Sequence, residues 1–384
     1  MSFTETPEQA LLREAVARIA SRYGHRWYAE RARSGGRATE LWDDLARAGY
    51  LGVNIPEDFG GGGMGIGELA LVLEEMSAHG CPLLLTIVSP AICGSVLAKF
   101  GSDELKKQWL PGLATGEVKM AFAITEPDAG SNAHRLATTA TRDGDEYRLR
   151  GSKYYISGVD EAQAMLLVAR TGTDPETGHA RLSLFVVPTD APGLSWDVIP
   201  VEVTACEKQF TVFFDDCVIP AGNLIGEEHH GFRSVFAGLN PERIMVAALC
   251  NGVARYALEK AAAYANQRRV WDVPIGAHQG IAHPLAKAKI EAELARLMTQ
   301  KAAWLYDEGL DAGEASNMAK YAAAEAAIAA VDQAMQVHGG NGLAREYGLA
   351  DLYFLVRLMR TAPVSREMVL NFVAQQSLGL PKSY

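Results

Sequence analysis

Residues 123–132, Ala123-Ile-Thr-Glu-Pro-Asp-Ala-Gly-Ser-Asn132, divide two regions of different hydrophobic periodicity. Upstream, from about residue 7 to 120, apolar residues recur at helical spacing, as in the stretch 67–76. Downstream, to about residue 225, short apolar runs alternate with turns rich in Gly, Pro, Asp and Thr. That pattern is typical of an antiparallel barrel or sandwich. The segment therefore predicts a boundary between a helical domain and a β domain.

Strand-like runs and a second helical region complete the predicted order. The runs are Glu146–Arg150, Lys153–Ser157, Met165–Arg170, Leu182–Val187 and Phe210–Phe214. Helices return from about Gly231, and residues 322–337 read as a helix that ends at Gly339. Residues at helical spacing in the same region are Ile290, Leu294, Leu297, Met298 and Leu305. We predict an α+β protein with domains at 1–120, 121–230 and 231–384.

The composition is that of an ordinary folded protein. Of the 384 residues, 48% are apolar and 21% are charged, so no long stretch is expected to be disordered. The net charge is −10 and the 36 Lys and Arg residues are scattered. Because no basic stripe is available to neutralise a phosphate backbone, nucleic acid is not expected as a partner.

The cysteines and the first residues indicate a reducing compartment. The five cysteines are far apart and form no Cys-x-x-Cys motif, so neither a disulfide framework nor a metal site is indicated. The first eight residues are polar and acidic and lead directly into a helical pattern, without an apolar signal core. No stretch reaches membrane-spanning length. We expect a cytoplasmic protein without a membrane partner.

A glycine motif at residues 60–65 matches the spacing of a dinucleotide-binding loop. Gly60-x-Gly62-x-x-Gly65 would need a buried strand before it and a βαβ unit around it. The preceding Asn54-Ile-Pro-Glu-Asp-Phe59 is a poor core strand, and no parallel sheet is indicated nearby. We interpret the motif as a surface turn between two helices.

Residues 123–132 resemble the Thr-Glu-Pro-x-Ala-Gly-Ser signature of the acyl-CoA dehydrogenases. Other motifs follow in the family's order and spacing: Lys153-Tyr-Tyr-Ile-Ser157, Phe214-Asp-Asp216 before Val218-Ile-Pro220, His278-Gln279 and Gln336-Val-His-Gly-Gly-Asn-Gly342. The resemblance extends over essentially the whole chain. It implies an N-terminal helical domain, a middle antiparallel β-barrel and a C-terminal four-helix bundle. It also implies FAD-dependent oxidation of an acyl-CoA thioester to the trans-2-enoyl-CoA.

This oxidation needs a base for the α-proton, a hydride acceptor facing Cβ and donors for the thioester carbonyl. No protein side chain accepts hydride, so a flavin is required. By resemblance, the segment 122–131 lines the flavin, through Phe122, Ile124, Thr125, Gly130 and Ser131, with Ser131 near either the pyrophosphate or the CoA moiety. Tyr155 and Ser157 stand where the family has a flavin-stacking tryptophan and a threonine at N5.

A second set of residues matches the family's site for the pyrophosphate and adenine of FAD in a neighbouring subunit. Arg268 has the planar guanidinium that suits an anionic phosphate. The other members by resemblance are Gln279, Gln336, Gly339 and Gly340. The chain continues with Val270-Trp271-Asp272 where the family usually has Thr-Phe-Gly, which removes one hydroxyl donor. A site shared between subunits implies a homo-oligomer, either a dimer or a tetramer.

The usual catalytic carboxylate is absent from its C-terminal position. Counting from residues 339–342, Pro363 stands at that position, whereas Ser365 and Glu367 still match residues that hold the flavin or its ribose. Isovaleryl-CoA and long-chain acyl-CoA dehydrogenases carry the base on an earlier helix, immediately before an arginine. Glu242 has that arrangement here and is the expected base.

The residues around Glu242 suggest how its helix begins. We expect Asn240 as the N-cap, Pro241 as the first helical residue and Glu242 in a first turn, where the helix dipole favours its anion. Arg243 is expected to pair with Glu242 or to order the substrate, and Asn240 also to contact the substrate.

An oxygen-dependent function also fits the sequence, whereas two further functions of this scaffold fit it poorly. The scaffold could act as an acyl-CoA oxidase or a flavin monooxygenase, with oxygen in place of an electron-transferring flavoprotein as the electron acceptor. Nitroalkane oxidation would need a carboxylate near Pro363. A DNA-protective or regulatory member should have a basic C-terminal surface, whereas residues 305–335 are rich in Ala, Glu and Asp.

Overall fold

A computed structural model describes residues 4–382, apart from the side chains of residues 232 and 233. The first part of the chain is helical, as predicted. Its helices are α1 (Pro7–Ala20), α2 (Gly24–Arg33), α3 (Thr39–Arg47), α4 (Ile66–Ala78), α5 (Ser95–Phe100) and α6 (Asp103–Thr115). Thr6 begins α1 with a capping box that includes Gln9, and a π-helical segment, Ile87–Gly94, leads into α5.

The central part of the chain forms an eight-stranded sheet. Its strands are β1 (Met120–Ala123), β2 (Thr139–Asp143), β3 (Glu146–Ser157), β4 (Ala164–Thr173), β5 (Ala180–Pro188), β6 (Leu194–Ile199), β7 (Gln209–Pro220) and β8 (Leu224–Ile225). The order is β6-β7-β3-β2-β4-β5-β8, with β1 beside β4. Every strand-like run of the sequence lies within β3, β4, β5 or β7. Most pairs are antiparallel, but β4 runs parallel to both β1 and β2.

The last part of the chain is a four-helix bundle of α7 (Gly231–Gln267), α8 (Gln279–Asp307), α9 (Gly313–His338) and α10 (Ala350–Thr361). A short hairpin, β9 (Arg269–Val270) with β10 (Val273–Pro274), joins α7 to α8, and α11 (Arg366–Phe372) follows the bundle. The buried face of α9 is mostly alanine. Small side chains allow α9 to pack closely against α7 and α8.

Three apolar clusters hold the domains together. One fills the space between the N-terminal helices and the bundle, a second lies between the N-terminal helices and one face of the sheet, and a third occupies the other face. The α7 helix contributes to the first two of these clusters. It therefore passes the point where all three domains meet.

The predicted helix start at Asn240 is wrong. The α7 helix begins at Gly231 and continues through Pro241 for 37 residues in total, so Glu242 is not in a first turn. Pro241 cannot donate to the carbonyl of Ala237, four residues earlier. The Tyr306 hydroxyl, 3.0 Å away, donates to that carbonyl instead. This substitute donor lets the helix continue where the local pattern predicted a cap.

The glycine motif at 60–65 is a turn before α4, as expected. The N-terminal amides of α4 are occupied by a carboxylate, because Ile66 N and Gly67 N donate to Asp307 at 2.7 Å and 2.9 Å. Burial raises the pKa of Asp307 to about 6. Because Asp307 already accepts from these two amides, they are not free to bind a phosphate.

The sequence also led to expectations about cysteines, metal sites and membrane-spanning segments. All five cysteines are buried and free. Within residues 4–382, no group of three or more His, Cys, Asp or Glu side chains is arranged to hold a metal ion. None of the helices in that range combines the length and apolar character needed to cross a membrane.

Candidate active site

Glu242 lies on the part of α7 that faces the π-helical segment 87–94. Four residues before it, Gly238 approaches Ile92 and Val96 so closely that a Cβ would come within 2.9 Å of both side chains. Glu242 is half-buried, and this burial raises the pKa of its carboxyl group to about 7. The positive charges of Arg243 and Lys320 oppose that rise. The carboxyl group is thus available as a base near neutral pH.

Arg243 carries a buried donor that the protein does not use. Its Nη1 donates to Asn240 Oδ1 at 3.0 Å, which fixes the side chain along α7. Its Nε is buried without a hydrogen-bond partner in the described residues. Burial lowers the pKa of the guanidinium. An unpaired buried donor is unfavourable by about 1–3 kcal/mol, which suggests that a ligand supplies the missing acceptor.

The loop at residues 361–365 is bound to α9 through Lys320. The Ala362–Pro363 peptide bond is cis. Lys320 Nζ, from α9, donates to Val364 O at 2.6 Å and to Arg360 O at 3.2 Å. The charge of Lys320 also lowers the pKa of Glu242, so the same lysine acts on both the loop and the carboxyl group.

Ser365, the last residue of this loop, and Glu367 on α11 have local structural roles. Ser365 is the N-cap of α11, where its hydroxyl accepts from Met368 N at 3.3 Å. Glu367 is exposed and accepts from Arg366 Nε at 3.1 Å. Both stay candidates for contact with the flavin, but neither side chain depends on a ligand for its position.

The segment 123–132 is fastened to the sheet by a buried ion pair. Lys153 Nζ donates to Glu126 Oε1 at 2.8 Å and to Ile124 O at 2.9 Å. The backbone of β3 contributes as well, because Tyr154 N donates to Thr125 O at 2.8 Å. These contacts place Phe122, Ile124 and Thr125 beside β3, while Gly130 and Ser131 lie exposed further along the loop.

Tyr155 presents an open aromatic face next to this segment. Its side chain is 54% exposed and its φ is 57°, a conformation that non-glycine residues adopt only under constraint. Ser157, two residues later, donates its hydroxyl to Gln209 Oε1 at 3.0 Å. An exposed ring held in a strained backbone is suited to stacking on a planar ligand.

The residues predicted to bind the pyrophosphate and adenine of FAD lie at the end of the bundle where α7 ends and α8 begins. Arg268 caps α7, Gln279 begins α8 and Gly339 ends α9 with a φ of 59°. The side chains of Arg268, Gln279 and Gln336 are exposed. A Cβ at Gly339 or Gly340 would meet no atom within 4 Å, so the backbone there is open to a ligand.

Within one chain, Glu242 and Arg268 are separated by most of the length of α7. Arg268 follows Glu242 by 26 residues on this helix. At a rise of about 1.5 Å per residue, the separation is about 39 Å. A ligand beside Glu242 would have to span that distance to reach Arg268 of the same chain.

Comparison with known proteins covers all three domains. Residues 6–117, 121–217 and 229–378 match the models for the acyl-CoA dehydrogenase N-terminal, middle and C-terminal domains. The chain belongs to the acyl-CoA dehydrogenase family. It is 58% identical to acyl-CoA dehydrogenase FadE12 of Mycobacterium tuberculosis strain H37Rv, over 100% of this chain and 99% of the relative.

Solved structures with the same fold include members with ligands. A glutaryl-coenzyme A dehydrogenase in complex with glutaryl-CoA matches with a TM-score of 0.94 and 30% identity, over 100% of this chain and 98% of that one. An FAD complex of PigA matches with a TM-score of 0.92 and 28% identity, over 99% and 100% of the two chains. The three-domain fold predicted from the sequence is therefore confirmed, and the chain is an acyl-CoA dehydrogenase.

Three buried charged residues near the predicted site were not among the residues predicted from the sequence. Lys320, Lys153 and Glu126 are buried charged groups that position the loops around the predicted site. A sequence signal for Lys320 exists, because it is a lone charge on the alanine face of α9, among Ala319, Ala323 and Ala327. Lysine on a buried helix face is rare unless it is paired.

Proposed function

We propose that this acyl-CoA dehydrogenase oxidises its thioester to the trans-2-enoyl-CoA with Glu242 as the base that takes the α-proton. The observation that carries this proposal is the position of the half-buried Glu242 carboxyl on α7, where that helix packs against the segment 87–94 and where burial raises its pKa to about 7. Pro363 leaves no carboxyl group at the family's more common position. Glu242 is suited to the role because it is basic enough to accept a proton near neutral pH.

FAD is the proposed cofactor, and it would supply the acceptor for the β-hydride when bound. The exposed Tyr155 ring would stack on the flavin, and the segment 122–131 would run along its edge. Ser157, Ser365 and Glu367 are the proposed polar contacts. The unpaired Arg243 Nε would meet an acceptor of the bound substrate, and Asn240 would hold Arg243 in place for this contact.

A homo-oligomer is proposed because Glu242 and Arg268 lie about 39 Å apart in one chain. The second set of residues would bind the pyrophosphate and adenine of FAD in a neighbouring subunit. An exposed apolar stripe on α8 supports contact with a second copy of the chain. Its members are 37–61% exposed: Ile290, Leu294, Leu297 and Trp304. Apolar patches of this kind usually mark contact surfaces. Whether the assembly is a dimer or a tetramer is a question for light scattering.

The proposed electron acceptor is an electron-transferring flavoprotein, and the cytoplasmic location stays a prediction from the sequence. An acyl-CoA oxidase would pass electrons to oxygen instead. Stopped-flow mixing of the substrate-reduced enzyme with oxygen separates these functions. A dehydrogenase holding its product should reoxidise slowly, and rapid reoxidation with hydrogen peroxide release would indicate an oxidase.

The test of the proposed function is anaerobic titration of the purified enzyme with acyl-CoA thioesters of different length and branching. We expect a yellow protein whose visible flavin absorbance is bleached by at least one thioester, with the enoyl-CoA as product. A bound flavin that none of the thioesters reduces would contradict the proposal.

A further inference from the structure

Lys320 is a buried lysine at the active site whose ammonium group contacts only backbone carbonyls among the described residues. Its side chain is 1% exposed. Its Nζ donates to Arg360 O at 3.2 Å and to Val364 O at 2.6 Å. These two carbonyls stand on either side of Pro363 in the chain. The single ammonium therefore joins the end of α10 and the loop 361–365 to α9.

This arrangement is unfavourable for the lysine itself. Burial lowers the pKa of Lys320 to about 8, and the nearby positive charge of Arg243 also lowers it. A buried ammonium needs good compensation, and two neutral carbonyls supply only part of it. A well-packed apolar side chain could fill this place on α9 at lower cost. The charge and the two bonds thus point to a role other than packing.

The charged and titratable groups around Lys320 come from three helices. On α7 they are Glu242, Arg243 and Cys250; on α9, Glu325; and on α11, Glu367. Glu325 is bound by the guanidinium of Arg360 at 2.6 Å. Burial raises the pKa of the Cys250 thiol to about 12, so that thiol is neutral near pH 7. Among these groups, Glu242 is the proposed base, and the charge of Lys320 lowers its pKa.

We propose that Lys320 is a positioning residue of the dehydrogenation, which holds the loop 361–365 in place over the substrate and keeps a positive charge beside Glu242. This inference rests on the proposed function of Glu242. Lys320 does not take the proton and does not touch the reacting carbons. It fixes the direction of the peptide groups that follow Pro363, including the Val364 N–H, and favours the ionised form of Glu242.

The variants that test the proposal are Lys320→Met, which removes both the charge and the donors, and Lys320→Arg, which keeps both. Lys301→Met, an exposed lysine on α8, is the matched control. Flavin reduction is followed by anaerobic stopped-flow from pH 6 to pH 9.5, with the thioester that reduces the wild-type enzyme fastest. Amide hydrogen exchange of the peptide 358–368 is measured on the same proteins.

In Lys320→Met, we expect flavin reduction near pH 6.5 to fall about tenfold or more, as one unit of pKa implies for Glu242. The loss should shrink above pH 9, where Lys320 of the wild-type enzyme is itself neutral. Lys320→Arg should recover most of the rate. Amide exchange of the peptide 358–368 should be faster in Lys320→Met alone.

Three results would overturn the proposal. One is a Lys320→Met rate within twofold of wild type at every pH. Another is an equal loss at every pH with a lowered melting temperature, which would indicate a purely structural lysine. The third is unchanged exchange in the peptide 358–368, which is informative even if no thioester reduces the flavin. If no thioester reduces the flavin of the wild-type enzyme, the proposed function fails. A failure of the proposal for Lys320 is seen only in the variants.

Discussion

Lys153 Nζ lies 2.8 Å from Glu126 Oε1, and both side chains are buried. Burial alone would raise the pKa of Glu126, but the charge of Lys153 and the hydrogen bonds from Lys153, Ala137 and Thr138 together outweigh it and lower this pKa. Burial in turn lowers the pKa of Lys153 to about 8. Glu126 also accepts from Ala137 N and Thr138 N at 2.7 Å and 3.0 Å. The pair thus joins three segments of the β domain at the proposed flavin edge.

Lys153→Met should destabilise the protein by about 3–5 kcal/mol, because it leaves the Glu126 carboxylate buried without its partner. The double variant Lys153→Met with Glu126→Gln should be less destabilised than the single one, since no uncompensated charge remains. Chemical denaturation measures both, with Lys106→Met, which is outside this pair, as control. Equal stability of Lys153→Met and wild type would contradict the prediction.

Glu242→Gln should retain the fold and the bound flavin but lose flavin reduction. An amide cannot accept the α-proton, and the loss of a general base costs about 10²- to 10⁴-fold in rate. Single-turnover reduction by the best thioester is the measurement. Glu259→Gln, an exposed glutamate on the same helix, is the control and should react normally. Near-normal reduction in Glu242→Gln would assign the base to another residue.

The pH dependence of stability should distinguish Glu242→Gln from the wild type. The pKa of Glu242 is about 7 in the folded protein against 4.5 for the free side chain, so the folded state holds the proton more tightly. The wild-type enzyme therefore loses stability relative to the variant as pH rises from about 4.5 to 7. Melting curves of the wild type and of Glu242→Gln across this pH range test the prediction. The kcat/KM of the wild type should rise over the upper part of the same range, because the base must be ionised.

Arg268→Ala should weaken FAD binding, because it removes one charged donor to the pyrophosphate. A hydrogen bond to a charged group contributes about 1.5–3 kcal/mol, which corresponds to roughly a 10- to 100-fold change in Kd. The neighbouring Arg269 is the matched control, since its guanidinium already donates to Asp272 O at 2.9 Å. Equal FAD retention in both alanine variants after gel filtration would remove Arg268 from the site.

The proline at position 363 should affect the choice of substrate. It lacks the N–H that the family uses to hold the thioester carbonyl, and its compact ring replaces a long carboxylate. We expect thioesters branched near the carbonyl, or long chains, to be oxidised in preference to straight medium chains. A ranking by kcat/KM tests this, and a tenfold preference for butyryl- or octanoyl-CoA would defeat it. Pro363→Gly should raise turnover if Val364 or the flavin ribityl hydroxyl does not fully replace the missing donor.

The order of domains could be predicted from the sequence because periodicity is a local property. Apolar residues at helical spacing and the strand-like runs correctly marked the helical, β and helical regions. The start of α7 could not be predicted in this way. Asn240 and Pro241 together form a good local helix start, and only the distant Tyr306 hydroxyl makes a continuous helix possible. Contacts between remote residues leave no local pattern.

The same limit applies to the site. The resemblance supplied Glu242 and the flavin residues from short motifs, since each motif is a local arrangement. Lys320 and its bonds to Arg360 and Val364 join residues at least 40 positions apart. The stripe at Ile290, Leu294 and Leu297 was correctly assigned to a helix, but its exposure could not be foreseen. Periodicity shows that a helix has an apolar face, and the tertiary structure decides whether that face is covered.

The length of α7 between Glu242 and Arg268 has a genetic consequence. If neighbouring subunits complete each other's sites, every site takes Glu242 from one polypeptide and Arg268 from the other. Two inactive alleles, one altered at each residue, would then complement each other within a mixed dimer. One of its two sites would receive both altered residues, and the other would receive both intact ones. Recovered activity in such a mixture would come from a site that neither parent can assemble.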